Sequence, residues 1–130
     1  MDIRYLNVDL DIESKEDLSV LIEDLGEDVI VLHHGPVKGI NHASFELSHG
    51  FYSGPDEALA GFCRLIKNLS PEARLIWDGC YSRLFDLGFE CGTSPNRFWF
   101  ELRPSTIGMV AEIGGSIAMS IYPMSTEPAE

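Results

Sequence analysis

The residues best suited to chemistry in this chain are its four histidines, which all lie within one segment, residues 31–50, VLHHGPVKGINHASFELSHG. A metal site needs two to four His, Cys or carboxylate ligands that converge on one point. Adjacent residues of a strand face opposite sides, so only one of His33 and His34 can join His42 and Glu46. His34, His42 and Glu46 form a minimal ligand set, but the pattern favours a polar or pH-responsive hairpin. We expect no metal and no cofactor.

Other catalytic patterns are weaker still. Ser44 has a histidine nearby in sequence, but no Gly-x-Ser-x-Gly elbow is present. Asp9 and Asp11 are two apart on one strand, where an open sheet offers no cleft for acid–base work. The cysteines lack the close pairing of a zinc knuckle: Cys63, Cys80 and Cys91. We therefore predict that the protein is not an enzyme. A metal-dependent enzyme built on the hairpin histidines is the alternative.

Hydropathy patterns predict the elements that position these groups. Strands are expected at 5–12, 29–34, 42–48, 84–90, 97–103 and 117–121. Helices are expected after Ser14, Ser53, Ser70 and Pro104, where capping residues or prolines precede apolar stripes. This order predicts an α+β two-layer sandwich, with a mostly antiparallel six-stranded sheet and helices on one face. It would start as a ferredoxin-like βαββαβ unit and continue with a βαβ extension. We expect one domain, 1–122, and a flexible acidic tail, 123–130.

Alternating strands imply that the second face of the sheet is polar and uncovered. We expect this face to bind a partner, with large aromatic residues as anchors and carboxylates around them. The predicted partner-binding residues are Tyr5, Asn7, Asp9, Asp11, Glu46, Trp99 and Glu101. A solvated face whose aromatic residues pair across strands is the competing interpretation.

The net charge of −12 indicates which partners to expect. With nine Lys and Arg against 21 Asp and Glu, binding to nucleic acid or to an anionic membrane surface is disfavoured. A basic protein partner would be attracted and steered. No apolar run approaches the ~18–20 residues that span a bilayer. The start, MDIR, runs directly into a strand pattern, so we expect no leader peptide. We expect a cytoplasmic location.

Taken as a pattern of strands, caps and glycines, the chain resembles small bacterial α+β proteins, some of them immunity proteins encoded beside polymorphic or contact-dependent toxins. The segments that carry the resemblance are RYLNVDLDI, VIVLHHG, ASFEL, LIKNLSPEARLIW, RLFDLGFECG and ELRPSTIGMVAEIGGSIAMSIYP. The resemblance implies a non-enzymatic protein that blocks a toxin by occupying its surface, and it carries over no catalytic residue. A homodimer without any other visible role is a further interpretation.

Overall fold

A computed structural model describes residues 2–49, 54–93 and 97–123 of the chain. The predicted tail lies outside these ranges from residue 124 onward. Within the described ranges the strands are β1 (Arg4–Ser14), β2 (Val29–Val37), β3 (Ile40–Leu47), β4 (Ser82–Glu90) and β5 (Ser116–Tyr122). The α-helices are α1 (Ser19–Leu25), α2 (Pro55–Lys67), α3 (Pro71–Asp78) and α4 (Pro104–Glu112), and a short 3₁₀ helix, Gly26–Asp28, follows α1.

The strands form one mixed sheet in the order β2-β3-β1-β4-β5. β1 lies in the middle, antiparallel to both of its neighbours, so that Asp11 is paired with Ser44 of β3 and with Leu84 of β4. β2 is antiparallel to β3, whereas β5 is parallel to β4. The predicted α+β class is therefore confirmed, and β2 and β5 are the two edges of the sheet.

The strand predicted at 97–103 is not formed, so the described part of the chain has five strands rather than six. Its alternating pattern has another cause. Phe98 and Phe100 pack on Phe89 of β4, with ring centroids 5.3 and 5.1 Å away, while Trp99 between them is 66% exposed. An extended segment packed on a core alternates in the same way as a strand, and it needs no neighbouring strand.

The core lies on one face of the sheet. Each helix contributes to the same cluster of buried residues as β1, β3 and β4, through Leu21 of α1, Phe62 of α2, Trp77 of α3 and Val110 of α4. The opposite face, called the open face below, carries the alternate, polar residues of the strands. No helix in the described ranges is both long and apolar enough to cross a membrane.

The first helix begins later than predicted. Ser14 ends β1, is fully buried, and its Oγ accepts a hydrogen bond from the Glu16 amide at 3.0 Å. Asp17 is the residue that bonds to the start of α1, since its Oδ1 accepts from the Ser19 amide at 2.7 Å. Ser14 therefore closes the turn after the central strand, and a carboxylate near the first turn stabilises the helix.

Candidate functional site

Four carboxylates of three neighbouring strands lie close together on the open face. Asp9 of β1 is paired directly with Asp86 of β4, and Asp11 lies two residues along the same strand. The amide of Asn7 joins this group to β3, because its Nδ2 donates to Asp9 Oδ1 and to Glu46 Oε2, both at 3.1 Å. We call Asp9, Asp11, Glu46 and Asp86 the acidic cluster.

Neutral side chains hold two other members of the acidic cluster in place. Ser44 Oγ donates to Asp11 Oδ1 at 2.7 Å, and Ser120 Oγ donates to the two oxygens of Asp86 at 2.7 and 2.9 Å. Gly88 is paired with Asn7, and a Cβ at Gly88 would lie 3.1 Å from Asn7 Oδ1. The missing side chain thus leaves room for the amide that bridges Asp9 and Glu46.

No Lys or Arg in the described part of the chain forms an ion pair with the acidic cluster; the ion pair nearest in strand order joins Arg4 to Glu90 at 3.2 Å. Burial, together with the smaller effects of the Asp11, Glu46 and Asp86 charges, raises the pKa of Asp9 to about 6. Like charges that crowd together without compensation are typical of sites that bind a cation or a cationic group.

We expect Asp9→Asn to stabilise the protein at pH 7.5 by about 1 kcal/mol, a value already reduced for solvent screening. The folded-state pKa of Asp9 is about 6, above the ordinary aspartate pKa of 3.8. The folded state therefore binds the proton more tightly than the unfolded state, and the ionised carboxylate destabilises it above pH 6. Wild-type stability attributable to Asp9 rises as the pH falls from 6 to 4.

Urea unfolding of both proteins at pH 7.5, 5.5 and 4.0 measures this effect. The extra stability of Asp9→Asn over wild type should be smaller at pH 5.5 than at pH 7.5 and should disappear at pH 4.0. Asn retains an oxygen that can accept the Asn7 hydrogen bond, so the substitution changes charge alone. A stability difference that stays constant with pH would contradict the electrostatic explanation. Glu57→Gln, on the exposed side of α2, serves as a control for loss of one carboxylate.

The structure brings together four of the seven predicted partner-binding residues: Asn7, Asp9, Asp11 and Glu46. Trp99 and Glu101 lie in the connection between β4 and α4, outside the sheet, so they are not on the open face as predicted. Asp86 was missing from the predicted set, although the alternation of β4 placed it on the same face.

Tyr5, like Trp99 and Glu101, is a predicted partner-binding residue that does not lie on the open face. The β1–β4 register shifts between Tyr5 and Asn7, so that Tyr5 is paired with Phe89 and its ring lies 5.9 Å from that buried ring. Tyr5 packs against the core, and its hydroxyl is buried without a hydrogen-bond partner among the described residues. Burial, with a smaller effect of Asp9, raises the pKa of Tyr5 to about 12. A bulge changes which face a residue occupies, and simple alternation does not reveal it.

The hairpin histidines pair differently from the predicted set. His34 is paired with Ala43, a core residue, whereas His33 lies beside His42, with 2.9 Å between the two Nδ1 atoms. A second register shift, between Val31 and His33, accounts for the exchange. No group of three or more His, Cys, Asp or Glu side chains in residues 2–49, 54–93 and 97–123 is arranged to hold a metal ion. His34 therefore does not lie beside His42, and the minimal ligand set of His34, His42 and Glu46 is not brought together.

Comparisons of the chain with models of protein families, with curated proteins and with solved structures found no match.

Proposed function

We propose that the protein is a non-enzymatic binding module whose acidic cluster binds a basic protein partner. The observation that carries the proposal is the group of four carboxylates on the open face, linked by neutral donors and left without ion pairs to Lys or Arg in the described ranges. Lys or Arg side chains of a partner would supply the missing positive charge, since charge complementarity speeds association and selects partners.

Binding would also relieve the repulsion within the acidic cluster. Its members are only partly buried, so a partner can reach them from the open side. A cationic group beside Asp9 favours the ionised carboxylate, which lowers its pKa and releases a proton when the pH is near 6. The complex should therefore be tighter at pH 7.5 than at pH 5. Affinity should also fall as salt rises, because the charges are partly exposed.

The specific form of the proposal is an immunity-type protein that neutralises a basic toxin domain in the cytoplasm. Its supports are the resemblance of the sequence segments, the net charge of −12 and the open acidic face. The three free cysteines, Cys63, Cys80 and Cys91, suit a reducing compartment. Inhibition would then follow from occupying the toxin's surface, without any chemical step.

The proposal includes the ferredoxin-like description of the first four strands. β3 lies between β1 and β2 and is antiparallel to both, so β1 and β2 run in the same direction around it. These directions support a split βαβ arrangement, in which the helices connecting the strands would lie on one side. The opposite side is then available to a partner, as the binding proposal requires.

A neutralised variant tests the proposal. It carries Asp9→Asn, Asp11→Asn, Glu46→Gln and Asp86→Asn, which retain acceptor oxygens for the Asn7 and serine hydrogen bonds. Proteins retained on immobilised wild-type chain from a lysate of the source cells would be identified by mass spectrometry and purified. For the partner, we expect the Kd to rise about thirtyfold in the variant, roughly 2 kcal/mol for four partly exposed charges.

The matched control removes the same number of carboxylates from the exposed helix side, with Glu23, Glu27, Glu57 and Glu72 each changed to Gln. It should bind as wild type does. Calorimetry at 50 and 500 mM salt measures the partner's Kd for wild type, the neutralised variant and the control. Circular dichroism checks that each protein is folded. Equal losses in both variants would show that only overall charge matters. No loss in the neutralised variant would show that the partner binds elsewhere.

A further inference from the structure

The edge strand β2 is apolar and poorly covered. Ile30, Val31 and Leu32 are 45, 44 and 49% exposed, and Val37 at the end of the strand is 46% exposed. Only Val29, the first residue of β2, is buried. A run of aliphatic residues is normally found in strands that are covered on both faces.

The exposed residues lie on both faces of the sheet. Ile30 is paired with Glu46, on the open face, whereas Val31 is paired with Phe45, on the helix side. The helix side is therefore not covered this far from the sheet centre. The outer edge of β2 also has no neighbouring strand in the described part of the chain. Such an edge readily pairs with another chain.

The distribution of charge indicates which kind of chain would pair with the outer edge of β2. From residue 29 to residue 37 the sequence, VIVLHHGPV, contains no Asp, Glu, Lys or Arg, although the whole chain carries −12. Two copies of so acidic a chain repel each other over most surfaces, and β2 is an edge where they can meet without charges. A basic partner would be drawn to the acidic cluster instead, because β2 offers it no carboxylate.

We propose that β2 is the contact with a second copy of the chain, in which the two β2 strands pair antiparallel about a two-fold axis. An antiparallel pair of identical strands is self-complementary, so each copy contributes the same residues. The axis is perpendicular to the sheet, which places both acidic clusters on the same side of one continuous ten-stranded sheet.

Two features keep this contact short. Pro36 has no N–H to donate, and the register shift between Val31 and His33 bends the strand. The contact therefore lies at the small end of specific interfaces, and we expect a micromolar dissociation constant.

The other edge, β5, is also free of charge, but its apolar residues lie differently. Met119 and Ile121 line a hollow of about 220 Å³ on the helix side, shared with Phe89, Phe98 and Phe100 of the same chain. Its open-face positions carry Ser116, Ala118, Ser120 and Tyr122, none of which is a large aliphatic residue. β5 therefore has large aliphatic side chains on one face only, and it serves as the comparison for β2.

Light scattering of the full chain, from about 10 μM to 1 mM, tests the proposal. We expect the mass to rise from that of the 14.5-kDa chain towards twice that value. Higher salt should strengthen the dimer, since it screens repulsion between acidic copies. Val31→Lys and Leu32→Lys should each raise the dimer dissociation constant at least about tenfold, because each substitution places a positive charge from both copies at the paired edge, where the two charges repel each other.

The matched control is Met119→Lys, at an exposed apolar position of the opposite edge. It should dimerise as wild type does. A wild-type chain that stays monomeric throughout the range overturns the proposal, as does a dimer abolished by Met119→Lys but not by the β2 substitutions. Circular dichroism establishes that each variant is folded. The β2 substitutions leave the acidic cluster intact, so failure here is distinguishable from failure of the partner-binding proposal.

Discussion

Replacing Trp77 with alanine should lower the free energy of unfolding by about 4 kcal/mol. Trp77, in α3, is fully buried, and its Nε1 donates to the carbonyl oxygen of Ile113 at 2.9 Å. The substitution would leave a cavity where α3 meets the turn after α4, and would also leave the Ile113 carbonyl without this donor. A loss of that size is a large part of the stability of a typical domain.

Urea unfolding followed by far-UV circular dichroism measures this loss without relying on tryptophan fluorescence. Trp77→Phe should fall between wild type and alanine, since it restores most of the volume but not the hydrogen bond. Leu75→Ala is the control in the same helix, because Leu75 is 74% exposed, and it should change stability by no more than about 0.5 kcal/mol. Similar losses for Trp77→Ala and Leu75→Ala would contradict the packing described here.

Arg83→Met should lower the free energy of unfolding by about 3 kcal/mol. The guanidinium of Arg83, at the start of β4, donates to several backbone carbonyls. Its Nη1 reaches the oxygens of Trp77, Asp78 and Cys80 at 3.0 to 3.2 Å, and its Nε reaches Gly114 at 2.9 Å. Methionine has a similar length but donates no hydrogen bond, so the end of α3 and the turn after α4 would lose a shared donor.

Arg83→Lys gives the informative comparison, because lysine keeps the charge but lacks the planar fork that reaches several carbonyls. We expect it to recover less than half of the loss. Arg74→Met removes a partly exposed arginine that pairs with Asp78 four residues away, and should cost about 0.5 kcal/mol or less. If Arg83→Met costs no more than Arg74→Met, these hydrogen bonds contribute little to stability.

The sequence predicts most elements of this fold, because the two-residue period of β1 and β4 and the prolines that begin α2 and α3 are local signals. It fails where the deciding interaction is distant. Phe98 and Phe100 alternate as in a strand, but their partner is the ring of Phe89 rather than another backbone. The sequence pattern likewise does not reveal that β2 is an edge strand, since an aliphatic run suggests a central strand.

The candidate site was predicted in part for the same reason. Asn7, Asp9, Asp11 and Glu46 follow from alternation, and the structure places them together. Simple alternation places Tyr5 and His34 on the wrong face, because each lies next to a register shift. One extra residue in a strand reverses the face of every residue beyond it. Ser120 bonds to Asp86 only because β5 is parallel to β4, a pairing that the sequence did not fix.

The central position of β1 bears on how the chain folds. Its pairing with β3 joins residues 10 and 45, but its pairing with β4 joins residues 9 and 86, so half of its hydrogen bonding depends on distant parts of the chain. Contacts so far apart in sequence slow the search for the native state, because the intervening loop must close before they form. We therefore expect millisecond-or-slower refolding, limited by the joining of β4 to β1, and fragments that end before residue 82 should not acquire the fold.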